Sequence, residues 1–352
     1  MAHGPDLAAP RPPREGGRRA HSPSSQHAAA HRHSYAALDL GTNNCRLLIA
    51  RPAEEGFVVV DAFSRIVRLG EGLTATGRLS EAAMDRAVSA LSVCADKLRR
   101  RRVSLVRSVA TEACRRASNG REFVQRVYRE TGIALEIISP EQEARLAVLG
   151  CHALLEPGEG NALVFDIGGG STELILIDAE ESPPRVIDWF SAPWGVVSLS
   201  ETEPHVGTDR AGLLASYAQM RGRVTESFAQ FAAKLEPGER PGRLLGTSGT
   251  VTTLASVHLD LPSYDRRLID GLVVPVTAMR EISSKLAGMT VAQRAELPCI
   301  GHERADLVVA GCAILDAILD IWPAERLGVA DRGIREGILR SLMARDRARM
   351  VM

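Results

Sequence analysis

The sequence predicts an α/β protein of two domains facing each other across a cleft, and three observations predict it. At 352 residues the chain is longer than one hydrophobic core usually serves, so two units of roughly 100–200 residues are expected. Two segments, YAALDLGTNNCRLLIA at Tyr35–Ala50 and ALVFDIGGGSTELILID at Ala162–Asp178, share one pattern: an apolar strand ending in Asp, a glycine-containing loop and a second strand. Each is followed by alternating strand and helix patterns, the order that builds layered α/β domains.

Residues 1–34 carry Pro, Gly, Ser, Arg and five of the nine histidines but almost no aliphatic side chains, so they are expected to stay disordered. The irregular spacing of His21, His27, His31 and His33 argues against a metal-binding tract. From Tyr35 a three-stranded meander is expected: Ala36–Asp39, Arg46–Ala50 and Phe57–Phe63. Ser80 caps a helix with Ala83, Ala87, Leu91 and Ala95 on one face. Val103–Val109 reads as a buried strand, followed by a short helix from Thr111, a second over Arg121–Thr131, the strand Ala134–Ile138 and a helix opening at Pro140. The second meander comprises Ala162–Asp166, Glu173–Asp178 and Arg185–Phe190. Beyond it are helices near Asp209–Leu235, a strand at Arg243–Gly246, and helices over Val276–Leu286, Glu303–Ile321 and Ile334–Ala344. The expected domains are 35–150 and 151–330, with a terminal helix in 331–352 packing back on the first.

Acidic and basic residues number 43 each, which gives no overall attraction to nucleic acid or an anionic membrane. Only Lys97, Lys234 and Lys285 are lysines, so the cations are almost all arginine, whose planar fork suits phosphate oxygens. Six scattered cysteines show no metal or disulfide spacing. No apolar run is long enough to cross a bilayer, and the N-terminus has no signal-like core. These features predict a cytoplasmic protein with reduced thiols.

Three loops carry the chemistry. In the second meander, Gly168, Gly169 and Gly170 would let backbone N–H groups turn toward an anion, with Ser171 and Thr172 beside them. Asp166 at the strand end can hold a hydrated Mg²⁺, and Glu173 stands at the other lip. The first loop, Asp39 to Arg46, offers Gly41, Thr42, Asn43 and Asn44. A third, Gly246-Thr247-Ser248-Gly249-Thr250, lies between a strand and a helix, where N-terminal amides favour an anion. Each alone is equally a tight connection; three spaced through two α/β halves point to a phosphate-handling cleft.

The duplicated meander and these loops resemble the actin, sugar-kinase and Hsp70 fold, which implies two actin-like (ribonuclease H-like) domains with an interdomain active-site cleft. More narrowly, Asp39–Leu48, Val67–Leu73 (VRLGEGL), Val109–Arg115 (VATEACR), Ser139–Leu146 (SPEQEARL), Val164–Glu173 (VFDIGGGSTE) and Glu303–Leu315 (ERADLVVAGCAIL) are similar, in this order, to the exopolyphosphatase/guanosine pentaphosphate phosphohydrolase family. The resemblance covers about residues 35–345. It implies hydrolysis of a terminal phosphoanhydride with Mg²⁺ and a glutamate that activates water, here Glu143. Glu141 and Glu143 point to different helix faces, so only one should face the cleft. Asp166 and Glu173 would organise the metal and water. The phosphate would be held by Gly168, Gly169, Gly170 and Ser171, by Asp39 through Asn44, by Gly246, Ser248, Gly249 and Thr250, and by Arg304. Arg115 would bind a phosphate oxygen, although Arg116 could equally be the one turned inward, and Arg46 is a weaker candidate. The first loop reads Gly-Thr-Asn-Asn where the family commonly has Gly-Ser-Asn-Ser. The length matches the short form, without the appended helical domain of longer members.

The expected activity is an exopolyphosphatase acting on inorganic polyphosphate, with guanosine pentaphosphate as the alternative substrate, and a homodimer is expected because short members commonly pair. A kinase of the same fold is disfavoured by a glutamate placed to activate water, and a P-loop enzyme by the absence of any lysine in a G-K-[ST] context. A non-catalytic nucleotide sensor would need the acidic residues to be dispensable.

Overall fold

The strands β1 (Tyr35–Leu40), β2 (Asn44–Pro52) and β3 (Phe57–Ile66) form the first meander in a computed structural model that describes residues 33–351 except 55, 182 and 208. The expectations for residues 1–32, their disorder and their histidines, lie outside the described residues. After α1 (Leu73–Thr76) comes α2 (Glu81–Arg100), capped as expected by the Ser80 hydroxyl, which accepts from the Ala83 N–H. Next follow β4 (Leu105–Ala110), α3 (Glu112–Arg116), α4 (Gly120–Thr131), β5 (Leu135–Ile137) and α5 (Pro140–Cys151). A capping box of Ser139 and Gln142, with Pro140 in the first turn, fixes where α5 begins.

The second half repeats the plan with β6 (Asn161–Ile167), β7 (Thr172–Asp178) and β8 (Arg185–Ala192), then α6 (Val196–Thr202), α7 (Arg210–Ala232), β9 (Arg243–Thr247) and α8 (Gly249–His258). The chain continues through α9 (Arg266–Ile269), β10 (Val273–Pro275), α10 (Val276–Ala287), α11 (Val291–Ala295), α12 (Val308–Ile321), β11 (Arg326–Ala330) and α13 (Ile334–Val351).

The sheet orders are β3-β2-β1-β4-β5 and β8-β7-β6-β9-β11-β10, so the second is the first with one strand added. In both, the meander is antiparallel and the next two strands join in parallel, whereas the added strand β10 runs antiparallel to β11. Each middle strand carries one irregularity against its outer neighbour, between Ile49 and Ala50 in one and Leu176 and Ile177 in the other.

Strand alternation splits β1 between two cores. Ala36, Leu38 and Leu40 pack on α2 and α4, whereas Tyr35 and Ala37 face a second cluster. That second cluster also holds Ala144 and Ala147 of α5, Val164 and Ile175 of the other sheet, and Ile338 and Leu339 of α13. Thus α5 and α13 lie between the sheets and bury the inner face of each. They approach closely enough that a Cβ on Gly150 would stand 2.0 Å from the Gly333 carbonyl oxygen, and one on Gly337 2.0 Å from that of Leu146.

Two expectations need correction. The strand predicted over Val103–Val109 is not buried throughout, because Leu105 and Val106 are 36% and 47% exposed. β5 pairs only with Ser108–Ala110, so the start of β4 has no neighbour on that side. The helix predicted from Glu303 begins at Val308 instead; Gly301 has φ 66° and residues 302–306 are turns, which puts Arg304 on a loop at the cleft rather than on a helix face. No helix among the described residues is long and apolar enough to cross a membrane.

Candidate active site

Both meander loops and the third glycine loop meet in one cavity of about 140 Å³. Its lining includes Asp39, Gly41, Thr42, Asn43 and Asn44 from the first loop, Asp166, Gly168, Gly169, Gly170, Ser171 and Glu173 from the second, and Ser248, Gly249 and Thr250 from the third. Glu143, Arg46 and Arg304 also reach it. Of the expected catalytic and phosphate-binding residues, Arg115 and Gly246 do not line it.

Antiparallel pairing places the partners side by side on one face of the sheet. In the first copy Asp39 stands opposite Arg46; in the second, at the equivalent register, Asp166 stands opposite Glu173. The duplication therefore carries a carboxylate–cation pair in one half and a pair of carboxylates in the other. Glu173 is buried, and its Oε1 accepts from the Ser171 and Ser191 hydroxyls at 2.7 and 2.9 Å.

Glu143 enters from the first turn of α5. Its side chain is 8% exposed, against 49% for Glu141, which pairs with Arg145 on the outer face. The inward glutamate is thus Glu143. Arg115 is the inward arginine and Arg116 is exposed, but the role expected of Arg115 changes. Its Nη1 donates to Glu143 Oε2 at 3.1 Å and to the Ile138 carbonyl at 2.8 Å, while Nε and Nη2 both donate to Glu112 Oε2. The guanidinium is committed to two carboxylates and orients Glu143 rather than presenting itself to a phosphate.

Burial pushes the carboxylic acids of this group upward. Asp166 is raised to about 8, first by desolvation and then by Glu173 and Asp39, with Arg46 and Arg335 opposing. Glu143 is raised well above the ordinary range by burial and by Glu173, against the pull of Arg115. Burial also raises Asp39 and Glu173, the latter opposed by the hydroxyls of Ser171 and Ser191. Four carboxyl groups that resist ionising together are what a bound cation would relieve.

The glycines act differently from the expectation. None of Gly168, Gly169 and Gly170 has φ in the left-handed region; they are required by close approach. A Cβ on Gly169 would lie 3.0 Å from the Asn43 nitrogen, and one on Gly170 2.6 Å from Thr42 Oγ1. A Cβ on Gly195, at the start of α6, would meet the Gly169 carbonyl at 2.5 Å. Gly168 N–H closes the turn onto Ser171 O, and the carbonyls of Gly168 and Gly169 accept from Val196 and Val197. Across the cavity, Asp39 Oδ1, Thr42 Oγ1 and Asn43 Oδ1 are buried without a hydrogen-bond partner. Three unpaired oxygens on one loop cost free energy unless a ligand, metal or water meets them.

In the third loop, Ser248 has φ 136°, a conformation rare outside glycine, and its hydroxyl caps α8. Arg46 packs beside Gly249, its guanidinium nitrogen 3.7 Å from where a Cβ would stand, which is ordinary contact. Gly246 belongs to β9 instead, where Phe165 and Val251 fill the space a side chain would take, so its expected phosphate contact is replaced by a packing role. Arg304 is held by the Thr253 hydroxyl at 2.9 Å. Sequence reasoning missed Glu112 and Thr253, which line the cavity, and Arg335, whose charge reaches Asp39, Asp166 and Arg46. Glu112 stands in the same motif as Arg115; Arg335 follows β11 with no local pattern to mark it.

Among the described residues no three His, Cys, Asp or Glu side chains converge to complete a metal site by themselves. Mg²⁺ usually takes only one or two carboxylates and keeps waters for substrate phosphates. The oxygen-only donors around Asp166 and the unpaired oxygens of the first loop fit that ion.

Comparison with known proteins agrees with this geometry. The family model described as the Ppx/GppA phosphatase family matches residues 48–346. Exopolyphosphatase 2 of Mycobacterium tuberculosis is 33% identical over 320 residues, covering 87% of this chain and 98% of that protein. The guanosine-5'-triphosphate,3'-diphosphate pyrophosphatase of Aeromonas salmonicida is 30% identical over 89% of this chain, which spans 60% of the longer relative. The crystal structure of the Aquifex aeolicus Ppx/GppA family member superimposes with TM-score 0.73 at 30% identity, covering 89% and 98% of the two chains. Two sheets of the same order, three loops at one cavity and a family match across most of the chain agree: this protein belongs to the Ppx/GppA phosphatase family.

Proposed function

We propose that this protein is a Mg²⁺-dependent exopolyphosphatase that releases orthophosphate from the end of inorganic polyphosphate. The observation that supports this most directly is the convergence of Asp39, Glu143, Asp166 and Glu173 on one cavity, the two glutamates buried, together with the unpaired oxygens Asp39 Oδ1, Thr42 Oγ1 and Asn43 Oδ1 of the first loop. Such a site favours a multivalent cation with a phosphate chain over a neutral ligand. The name and full-length coverage of the M. tuberculosis relative support the choice of polymer.

Mg²⁺, held by Asp166 and Glu173, would supply charge stabilisation for the transferring phosphoryl group. Glu143 Oε takes a proton from water as the water oxygen forms a bond to the terminal phosphorus, and the bridging P–O bond breaks with its electrons passing to the shortened chain. Arg115 holds Glu143 in place and favours its ionised form. Proton transfer of this kind contributes about 10²–10⁴-fold, so Glu143→Gln should lower kcat by that factor with KM little changed. A variant that folds and keeps full turnover would remove Glu143 from the role.

A second reading rests on the A. salmonicida relative: removal of the 5' terminal phosphate of guanosine pentaphosphate, which ends in the same phosphoanhydride. Turnover of the two substrates measured side by side decides it. A higher kcat/KM on the nucleotide would replace polyphosphate as the substrate.

A further inference from the structure

The chain is electrically neutral overall, yet Lys97-Leu98-Arg99-Arg100-Arg101-Arg102 sets five cations in six positions at the end of α2. α2 starts near the cleft and spans about 30 Å at 1.5 Å per residue. Arg86, Ser89, Val93, Lys97 and Arg100 recur at three- and four-residue spacing on one stripe of it. β3 lies alongside, presenting Asp61, Phe63 and Arg65 on one face.

Contacts between the two elements make a continuous edge. Near the cleft, Arg86 donates to the carbonyls of Val67 and Arg68 at 2.9 and 3.2 Å, and the N–H groups of both those residues bind the Asn43 carbonyl. Midway, Arg65 lies over the Phe63 ring and reaches Ser89. At the far end a depression of about 480 Å³ is lined by Asp61, Val93, Asp96, Lys97, Arg100 and Arg101. Acids along the edge are few and already engaged. Asp61 is shared by Lys97 and Arg101, Asp96 pairs with Arg99, and Glu71 pairs with Arg86. Arg65, Arg100 and Arg102 are exposed and have no ion pair among the described residues.

We propose that the α2–β3 edge is a second polyanion-binding site, which holds the distal part of an inorganic polyphosphate chain whose end lies in the cleft. This rests on the exopolyphosphatase reading. The edge offers arginine forks to phosphate oxygens, and Phe63, the aromatic ring on the face shared with Asp61 and Arg65, is covered by Arg65. It lacks the stacking platforms that single-stranded nucleic acid uses, so a phosphate chain without bases fits it better than RNA.

The test is Arg100→Gln/Arg102→Gln, two exposed side chains remote from the cleft, assayed on tripolyphosphate and on chains of several hundred phosphates. The expected result is a KM for the long chain raised about fivefold, with a flatter dependence on salt as fewer counterions are released, and unchanged kinetics on tripolyphosphate. Equal KM changes on both substrates, or none on either, would overturn the proposal. Failure of wild-type protein to hydrolyse either polymer would sink the exopolyphosphatase reading instead. In that event, direct binding of long-chain polyphosphate to the wild type and the double variant still reports on the edge, and equal affinities would reject it. Single-stranded RNA displacing polyphosphate at equal charge concentration would also reject it.

Discussion

Asp166 carries a cost in stability that its proposed metal-binding role would account for. Its carboxyl is raised from 3.8 to about 8, so between those values the folded chain keeps a proton that the unfolded chain has lost. Stability therefore falls as pH rises through this window and the cost is complete above about pH 8. Asp166→Asn removes that cost. The metal-free variant should melt several degrees above wild type at pH 8–9, with the difference shrinking toward zero near pH 4, while phosphate release is lost. Calorimetry across that range checks it, and a variant that melts lower at pH 9 would contradict the assigned burial penalty. Added Mg²⁺ should raise the melting temperature of the wild type more than that of the variant. At this scale the sequence revealed residue types but not partners. Glu143 and Arg115 were both legible as motif positions, yet that Arg115 grips Glu143 and Glu112 depends on α3 and α5 meeting in space.

The elements were more legible than the partners. Apolar alternation, Ser80, Ser139 and Pro140 marked strands and helix starts, because these signals act over three or four residues. The shift of α12 from Glu303 to Val308 reflects Gly301 and the turns after it, which hold Arg304 and Asp306 out toward the cleft. The return of the terminal helix to the first domain was expected, but the closeness of the α5–α13 crossing was not, since Gly150 near the end of α5 and Gly337 in the first turn of α13 are ordinary helix glycines until the partner backbone is present. Gly337→Ala would drive a methyl into the Leu146 carbonyl and should destabilise by about 1–3 kcal/mol, the range of overpacked cores. Chemical denaturation measures this. A neutral or stabilising outcome, as the helix propensity of alanine alone would give, would show that the crossing has room to separate.

For the whole molecule, the segment 67–72 joins the halves at one end of the cleft. Arg68, at φ 48°, donates to both oxygens of Asp306 at 2.8 and 3.1 Å, and the Gly72 N–H donates to Glu201 of α6 at 2.7 Å. The same segment binds the carbonyls of Thr42 and Asn43. Because Arg68 and Asp306 are each about one-third exposed, their coupling in stability should stay below about 1 kcal/mol. Arg68→Ala should nonetheless lower kcat/KM several-fold with little change in melting temperature, because it frees the cleft loop and the Arg304 segment from each other. Kinetics on the Asp306→Ala and double variants check this, and additive losses would exclude a shared latch. The sequence by itself determined the two-domain α/β class, the duplicated meander, the loops and the family, since local periodicity and motif order are properties of neighbouring residues. The tertiary structure alone decided that Asp39 faces Arg46 while Asp166 faces Glu173, that the glycines serve close approach rather than unusual backbone angles, and that Asp39, Glu143, Asp166 and Glu173 line one cavity. Register, packing and desolvation arise only when distant segments meet, and they set the charge balance on which the chemistry depends.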